Sequence, residues 1–137
     1  MVSHTVELRF QTYPSYLVLR RRDKRVKAFG TAVIDTGFDG GIYLNIALLK
    51  FFEDLNPIRM EKLISSFGEK VDCEVYEVEA SLVSEKDGLE VDLKEVNVYI
   101  PVDPAYIEGE VLVGREILNR LKVVLNGIYS ELSSTRI

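Results

Sequence analysis

The stretch that most constrains this chain is Ala32-Val33-Ile34-Asp35-Thr36-Gly37-Phe38-Asp39-Gly40-Gly41-Ile42-Tyr43-Leu44. An apolar run ends in one carboxylate, Asp35, on a tight turn. Two further glycines then release the chain into a second apolar run. Buried strands around a glycine-rich turn are how a rigid scaffold presents a reactive group on a loop. A carboxylate at the end of an apolar strand is costly to bury alone. Asp35 therefore needs a partner, a solvent opening or a chemical task. A purely structural task is also open to it, since an aspartate can cap its own turn by accepting an amide two residues on.

The 137 residues predict a single domain. With 22 acidic and 17 basic residues, the net charge of -5 argues against nucleic-acid binding. No apolar run reaches the length of a membrane span, so no membrane partner is expected. Cys73 is the only cysteine, so no intrachain disulfide can form. The N-terminus lacks the apolar core of a signal peptide, and together these features predict a cytoplasmic protein.

The pattern is that of a mainly β domain with one or two short helices. Alternation predicts strands at 5–10, 16–20, 26–34, 58–66, 71–83 and 89–100, with short strands at 111–113 and 122–125. Arg20-Arg21-Arg22-Asp23-Lys24-Arg25 reads as a charged, solvated hairpin turn. Asn45 is a plausible cap for a helix ending near Glu53, and Gly114 opens a second at 115–121. Residues 101–109 read as a loop. Strand, glycine turn and helix thus occur twice, but only the first copy carries an exposed carboxylate.

Most catalytic chemistries are missing. The single histidine, His4, lies near the terminus, so a Ser-His-Asp or Cys-His mechanism would rest on that residue alone. Cys73 falls in the series Val71, Cys73, Val75 and reads as a buried thiol. No Cys/His cluster offers a zinc site, and no phosphate-binding glycine motif is present. A calcium loop starting at Asp35 fails at its twelfth position, Ile46, where a bidentate glutamate is needed. No cofactor or metal is expected. Carboxylate chemistry remains. Two carboxylates about 3 Å apart share one proton and so supply both an acid and a base. A C2 homodimer is the simplest way to set Asp35 against its symmetry mate.

Asp35-Thr36-Gly37 between apolar runs resembles the active-site motif of aspartic peptidases. Ala32–Leu44 is similar to the retropepsin-like (retroviral-type, clan AA) branch, including its cellular archaeal and bacterial members. Val111-Leu112-Val113-Gly114-Arg115-Glu116-Ile117-Leu118-Asn119, about 80 residues on, resembles that family's apolar strand, Gly-Arg and C-terminal helix. Between them, Phe67-Gly68-Glu69-Lys70 falls where the family places its flap. The resemblance covers residues 5–127 of one 137-residue domain. It implies a closed β-barrel of the acid-protease fold.

It further implies an aspartic endopeptidase that acts on a peptide or protein substrate as a homodimer. In that reading Asp35 is the catalytic aspartate. Thr36 locks the two active-site loops together, and Gly37 admits the substrate and accepts its amide. Ser66, Phe67 and Gly68 form the flap tip, and Asp39 with Arg115 is a structural ion pair whose loss damages stability or assembly. The alternative is a catalytically silent, dimeric peptide-binding or adaptor module of the same fold. Three departures stand out. Phe38 is bulky where retroviral enzymes have a small residue, the flap turn has one glycine, and a tail of residues 128–137 extends beyond the usual closing strand.

Overall fold

The structure is a computed structural model that describes residues 4–10, 15–20, 27–64, 68–84, 88–107, 110–126 and 129–136. Ten strands are described: β1 His4–Phe10, β2 Ser15–Arg20, β3 Lys27–Ile34, β4 Ile42–Tyr43, β5 Arg59–Ile64, β6 Lys70–Ser84, β7 Glu90–Pro101, β8 Val111–Val113, β9 Lys122–Asn126 and β10 Tyr129–Arg136. They form two sheets. One has the order β2-β3-β8-β4-β7-β6-β5, and an extra β2–β6 pairing closes its first six members into a barrel. The other is a three-stranded antiparallel sheet, β1-β10-β9. No helix among the described residues is long and apolar enough to cross a membrane. The closed barrel with short helices is the mainly β architecture expected from the sequence.

The barrel interior holds Leu17, Leu19, Ile42, Leu44, Leu82 and Ile117, all fully buried. Strand β6 explains how a second cluster forms beside it. Val71, Cys73 and Val75 are buried on one side, and then Tyr76, Val78 and Ala80 on the other. Side chains alternate along a strand, so two adjacent buried residues, Val75 and Tyr76, mark a strand that changes the neighbour it covers. Up to Val75 it pairs with β5 as an outlying hairpin; from Glu79 it pairs with β2 in the barrel. The hairpin half buries Val71, Cys73 and Val75 against Tyr43 and Tyr99.

A β-bulge interrupts the β6–β7 ladder, where Ala80 faces Lys94 but Ser81 faces Asp92. Lys94 adopts φ 57°, a left-handed conformation uncommon for a side chain of its size. Two contacts hold it there. Its amide donates to Asp92 Oδ1 at 2.8 Å, and Arg120 Nη1 donates to the carbonyls of Leu93 and Glu95 at 3.1 and 3.2 Å.

Several expectations change. Residues 46–52 form a 3-10 helix, Ile46–Phe52, in which Asn45 makes no side-chain capping bond. Three residues per turn bring Leu48 and Phe51 onto one line, and both are buried. The second helix, α1, is Arg115–Leu118 and stops early, because Arg120 and Leu121 bond three residues back and tighten the turn. The 101–109 loop contains a one-turn 3-10 helix, Pro104–Tyr106, with Asp103 Oδ1 accepting the Ala105 amide at 3.0 Å. That cap-then-proline start was legible in Asp103-Pro104. The tail beyond residue 128 is strand β10, lying between β1 and β9. Of the charged turn, residues 21–25 lie outside the described residues.

Leu82 is a clean test of the barrel core. Leu82→Ala should cost about 2–5 kcal/mol of unfolding free energy, read as a lower urea midpoint at an unchanged m-value.

Candidate active site

Asp35 follows β3 directly, and its loop ends at β4. Strands β3 and β4 are not neighbours, because β8 lies between them. It runs parallel to β3 (Ala32↔Val111, Ile34↔Val113) and antiparallel to β4 (Ile42↔Val113). The loop 35–41 therefore straddles the end of β8 where Gly114 leads into α1.

Backbone hydrogen bonds tie loop and helix together. Asp35 N donates to Val113 O at 2.9 Å and Gly114 N to Gly41 O at 2.7 Å. Arg115 N donates to Phe38 O at 2.8 Å and Glu116 N to Gly40 O at 3.2 Å. The first amides of a helix have no partner within it, and here loop carbonyls supply one. The glycines are required by contact. A Cβ on Gly114 would overlap the Gly40 carbonyl oxygen and lie 2.7 Å from that of Phe38. One on Gly41 would lie 2.5 Å from Asn97 O.

Asp35 is half-buried, and its Oδ1 accepts the Gly37 amide at 2.9 Å, which leaves Oδ2 for another group. Thr36 and Gly37 are exposed on the same loop. Arg115 and Asp39 form an ion pair whose side chains are 51% and 75% exposed. Exposed pairs contribute about 0–1 kcal/mol, so the anchoring of α1 rests on the backbone bonds instead. Gly68 sits in the β5–β6 hairpin at φ +81°, which glycine adopts without strain. Ser66 and Phe67, expected at the hairpin tip, lie outside the described residues. The structure thus brings Asp35, Thr36, Gly37, Asp39 and Arg115 to one end of the barrel.

Sequence reasoning missed the aromatic group beside Asp35. Phe38 packs edge-on against Tyr43 and Tyr99, each at 5.7 Å between ring centroids and 85°. A Cβ on Gly40 would lie 2.6 Å from Phe38 Cζ and 2.7 Å from Tyr99 Cε1. The missing side chains at Gly40 and Gly114 are thus what seats the bulky Phe38. Tyr99 Oη donates to Glu116 Oε1 at 2.5 Å, and Asn97 Nδ2 donates to Oε2 at 3.2 Å. Burial, then the Glu116 and Glu61 carboxylates, push the Tyr99 phenol well above its ordinary range. Tyr106 ties the hairpin down: its hydroxyl donates to Glu69 at 2.5 Å, and its carbonyl accepts from Tyr43 Oη at 2.5 Å. The one signal for this group was tyrosine within two apolar strands.

No family model and no curated protein matches the chain. Among solved structures it is similar to the crystal structure of a retropepsin-like aspartic protease from Rickettsia conorii, at a TM-score of 0.55 and 18% identity. The match covers 98% of this chain and 95% of that one. The chain therefore has a retropepsin-like fold over essentially its whole length.

Three outcomes test this geometry. Gly114→Ala should destabilise the protein by about 1–3 kcal/mol, as an overpacked site does. Arg115→Ala should cost no more than about 1 kcal/mol. Thermal melts of the two variants side by side check both. The third concerns pH. Burial, then Asp72 and Glu61, push the Cys73 thiol from 9.0 up to about 11, and burial, then Glu74, pushes Tyr76 up to about 12. Both shifts favour the neutral form in the folded state. The stability they confer is full below about pH 9 and falls as the pH climbs towards 12. Urea midpoints at stepped alkaline pH should drop over that window, less steeply in Cys73→Ala.

Proposed function

We propose that this protein is an aspartic endopeptidase in which Asp35 works as a pair across a homodimer. The observation that carries the reading is Asp35 itself, half-buried on a loop clasped by β8 and α1 within a retropepsin-like fold. In this reading one Asp35 is ionised and draws a proton from a water held between the two carboxylates. The other is protonated and donates to the scissile carbonyl. The gem-diol then collapses, and a proton passes to the leaving nitrogen. Activity follows the titration of the pair rather than of either carboxylate.

The loop geometry supports these roles. The Gly37 amide fixes one oxygen of Asp35, so the other faces substrate in a defined direction. Gly37 and Thr36 are exposed, Gly37 towards the peptide and Thr36 towards the second copy. In this reading the β5–β6 hairpin, with Gly68 at its turn, covers a peptide or protein substrate. Asp39 and Arg115 steady the outer side of the loop.

One observation favours the silent binding module instead. The Asp35–Gly37 bond is also what a turn-capping aspartate makes. Asp35→Asn separates the two, because asparagine keeps the accepting oxygen and loses the ionisable group. Cleavage of a mixed peptide library from pH 3 to 8 should fall by about 10²–10⁴-fold in Asp35→Asn, with the melting temperature nearly unchanged. Equal cutting by both proteins would remove Asp35 from the chemistry. Peptide binding without turnover by the folded wild type would establish the module.

A further inference from the structure

The clasp on the Asp35 loop is made of backbone, yet one side chain of α1 reaches beyond it. The Glu116 amide donates to Gly40 O at 3.2 Å, while its carboxylate turns to β7. There Tyr99 Oη donates to Oε1 at 2.5 Å and Asn97 Nδ2 donates to Oε2 at 3.2 Å. Asn97 and Tyr99 share one face of β7, because side chains alternate along a strand. Two donors of one strand thus meet the two oxygens of one carboxylate. Bonds to an ionised acceptor are the strong ones, and Tyr99 is only 3% exposed, so little water competes for its hydroxyl. The neighbouring Arg115–Asp39 pair differs, since both of its side chains are more than half exposed.

The same two residues of β7 also support the loop. A Cβ on Gly41 would meet Asn97 O, and the Tyr99 ring packs edge-on against Phe38. Loop, α1 and β7 therefore converge on Asn97 and Tyr99. One competitor stands close, because Glu61 of β5 also lies beside the Tyr99 phenol. A phenol has a single proton to donate. Arg59 Nε meets Glu61 Oε1 at 3.2 Å, which gives that carboxylate a cation of its own and leaves the phenol proton for Glu116. Burial, then the two carboxylates, hold Tyr99 in its neutral, donating form.

We propose that Glu116 is a positioning residue for Asp35. Clamped by Tyr99 and Asn97, it fixes the start of α1 on β7, and the backbone bonds of α1 carry that constraint to the loop that presents the carboxylate. Glu116 exchanges no proton with substrate. Its effect on rate is geometric, since a catalytic group misplaced by about 1 Å can lose about 10²-fold. The proposal rests on the reading of Asp35 as the catalytic group, and it names the side chains that set its place.

Tyr99→Phe tests it, because the ring and its packing on Phe38 stay while the hydroxyl goes. Amide hydrogen exchange and peptide cleavage are measured on the wild type, Tyr99→Phe, Glu116→Ala, Glu116→Gln and the Tyr99→Phe/Glu116→Ala double variant. In Tyr99→Phe the Asp35 and Arg115 amides, both bonded across the clasp, should lose about tenfold in protection relative to residues 78–82 of the barrel. On a cleaved peptide kcat should fall about tenfold, with KM changed by less than about twofold. Glu116→Gln keeps an acceptor for Tyr99 and should recover most of what Glu116→Ala loses. The double variant should be little worse than Glu116→Ala, as expected of groups that act as one unit. Unchanged protection at Asp35 in Tyr99→Phe overturns the proposal. So does a rise in KM at constant kcat, which would place the hydroxyl in substrate binding. The two readings fail separately. Loosened clasp amides in a protein that cuts no peptide keep the anchor on the loop and remove the peptidase. Cutting at the wild-type rate by Tyr99→Phe keeps the peptidase and removes the anchor.

Discussion

The structure depends on the clasp between the Asp35 loop and the start of α1. Four backbone bonds, from Asp35, Gly114, Arg115 and Glu116, join two segments about 80 residues apart in sequence. The bonds from Gly114, Arg115 and Glu116 satisfy helix-start amides and loop carbonyls, and the one from Asp35 ties its own amide to the end of β8. Such a clasp has little tolerance, because backbone meets backbone with no side chain to give way. Gly114 marks the closest approach within the clasp, and Gly41 a second one between the loop and the backbone of Asn97 on β7. Asp35 inherits its position from this frame, and its own bond to the Gly37 amide sets only the final orientation of the carboxylate.

The same closeness explains Phe38. A large ring next to the Asp35 loop would collide with its surroundings in an ordinary backbone. Here it occupies room left by Gly40 and Gly114, and it stacks edge-on between Tyr43 and Tyr99. Tyr99 continues the contact through its hydroxyl to Glu116 on α1. The loop is thus held by backbone on one side and by an aromatic group on the other. The hairpin of β5 and β6 packs onto that aromatic group, so the hairpin and the Asp35 loop share one small core.

The three-stranded sheet is the second departure from a minimal barrel. Its central strand is the tail, which makes seven pairs with β1 and five with β9. The tail therefore belongs to the fold and is no appendage to it. By joining the first and ninth strands it moves the open edges of that sheet to its two sides.

Much of this was legible in the sequence. The alternating strands and glycine turns gave a mainly β domain, because period-two burial and glycine turns are local properties that residues carry with them, and the resemblance of Ala32–Leu44 and Val111–Asn119 to the retropepsin-like family implied the barrel. The helices were less legible. Nothing within Ile46–Phe52 separates α from 3-10 geometry, which the docking of Leu48 and Phe51 decides, and α1 was shortened by its exit into β9. Strand β10 went unread because Tyr129–Arg136 is largely polar, and its identity comes from two neighbours far away in sequence. The same holds for the Arg115–Asp39 pair. The sequence named the partners, but only the tertiary structure set their exposure, and exposure decides how much an ion pair contributes. What the sequence determined alone was the set of local elements and the one carboxylate. Which distant elements touch, and hence what holds that carboxylate in place, depended on packing between segments that local pattern cannot encode.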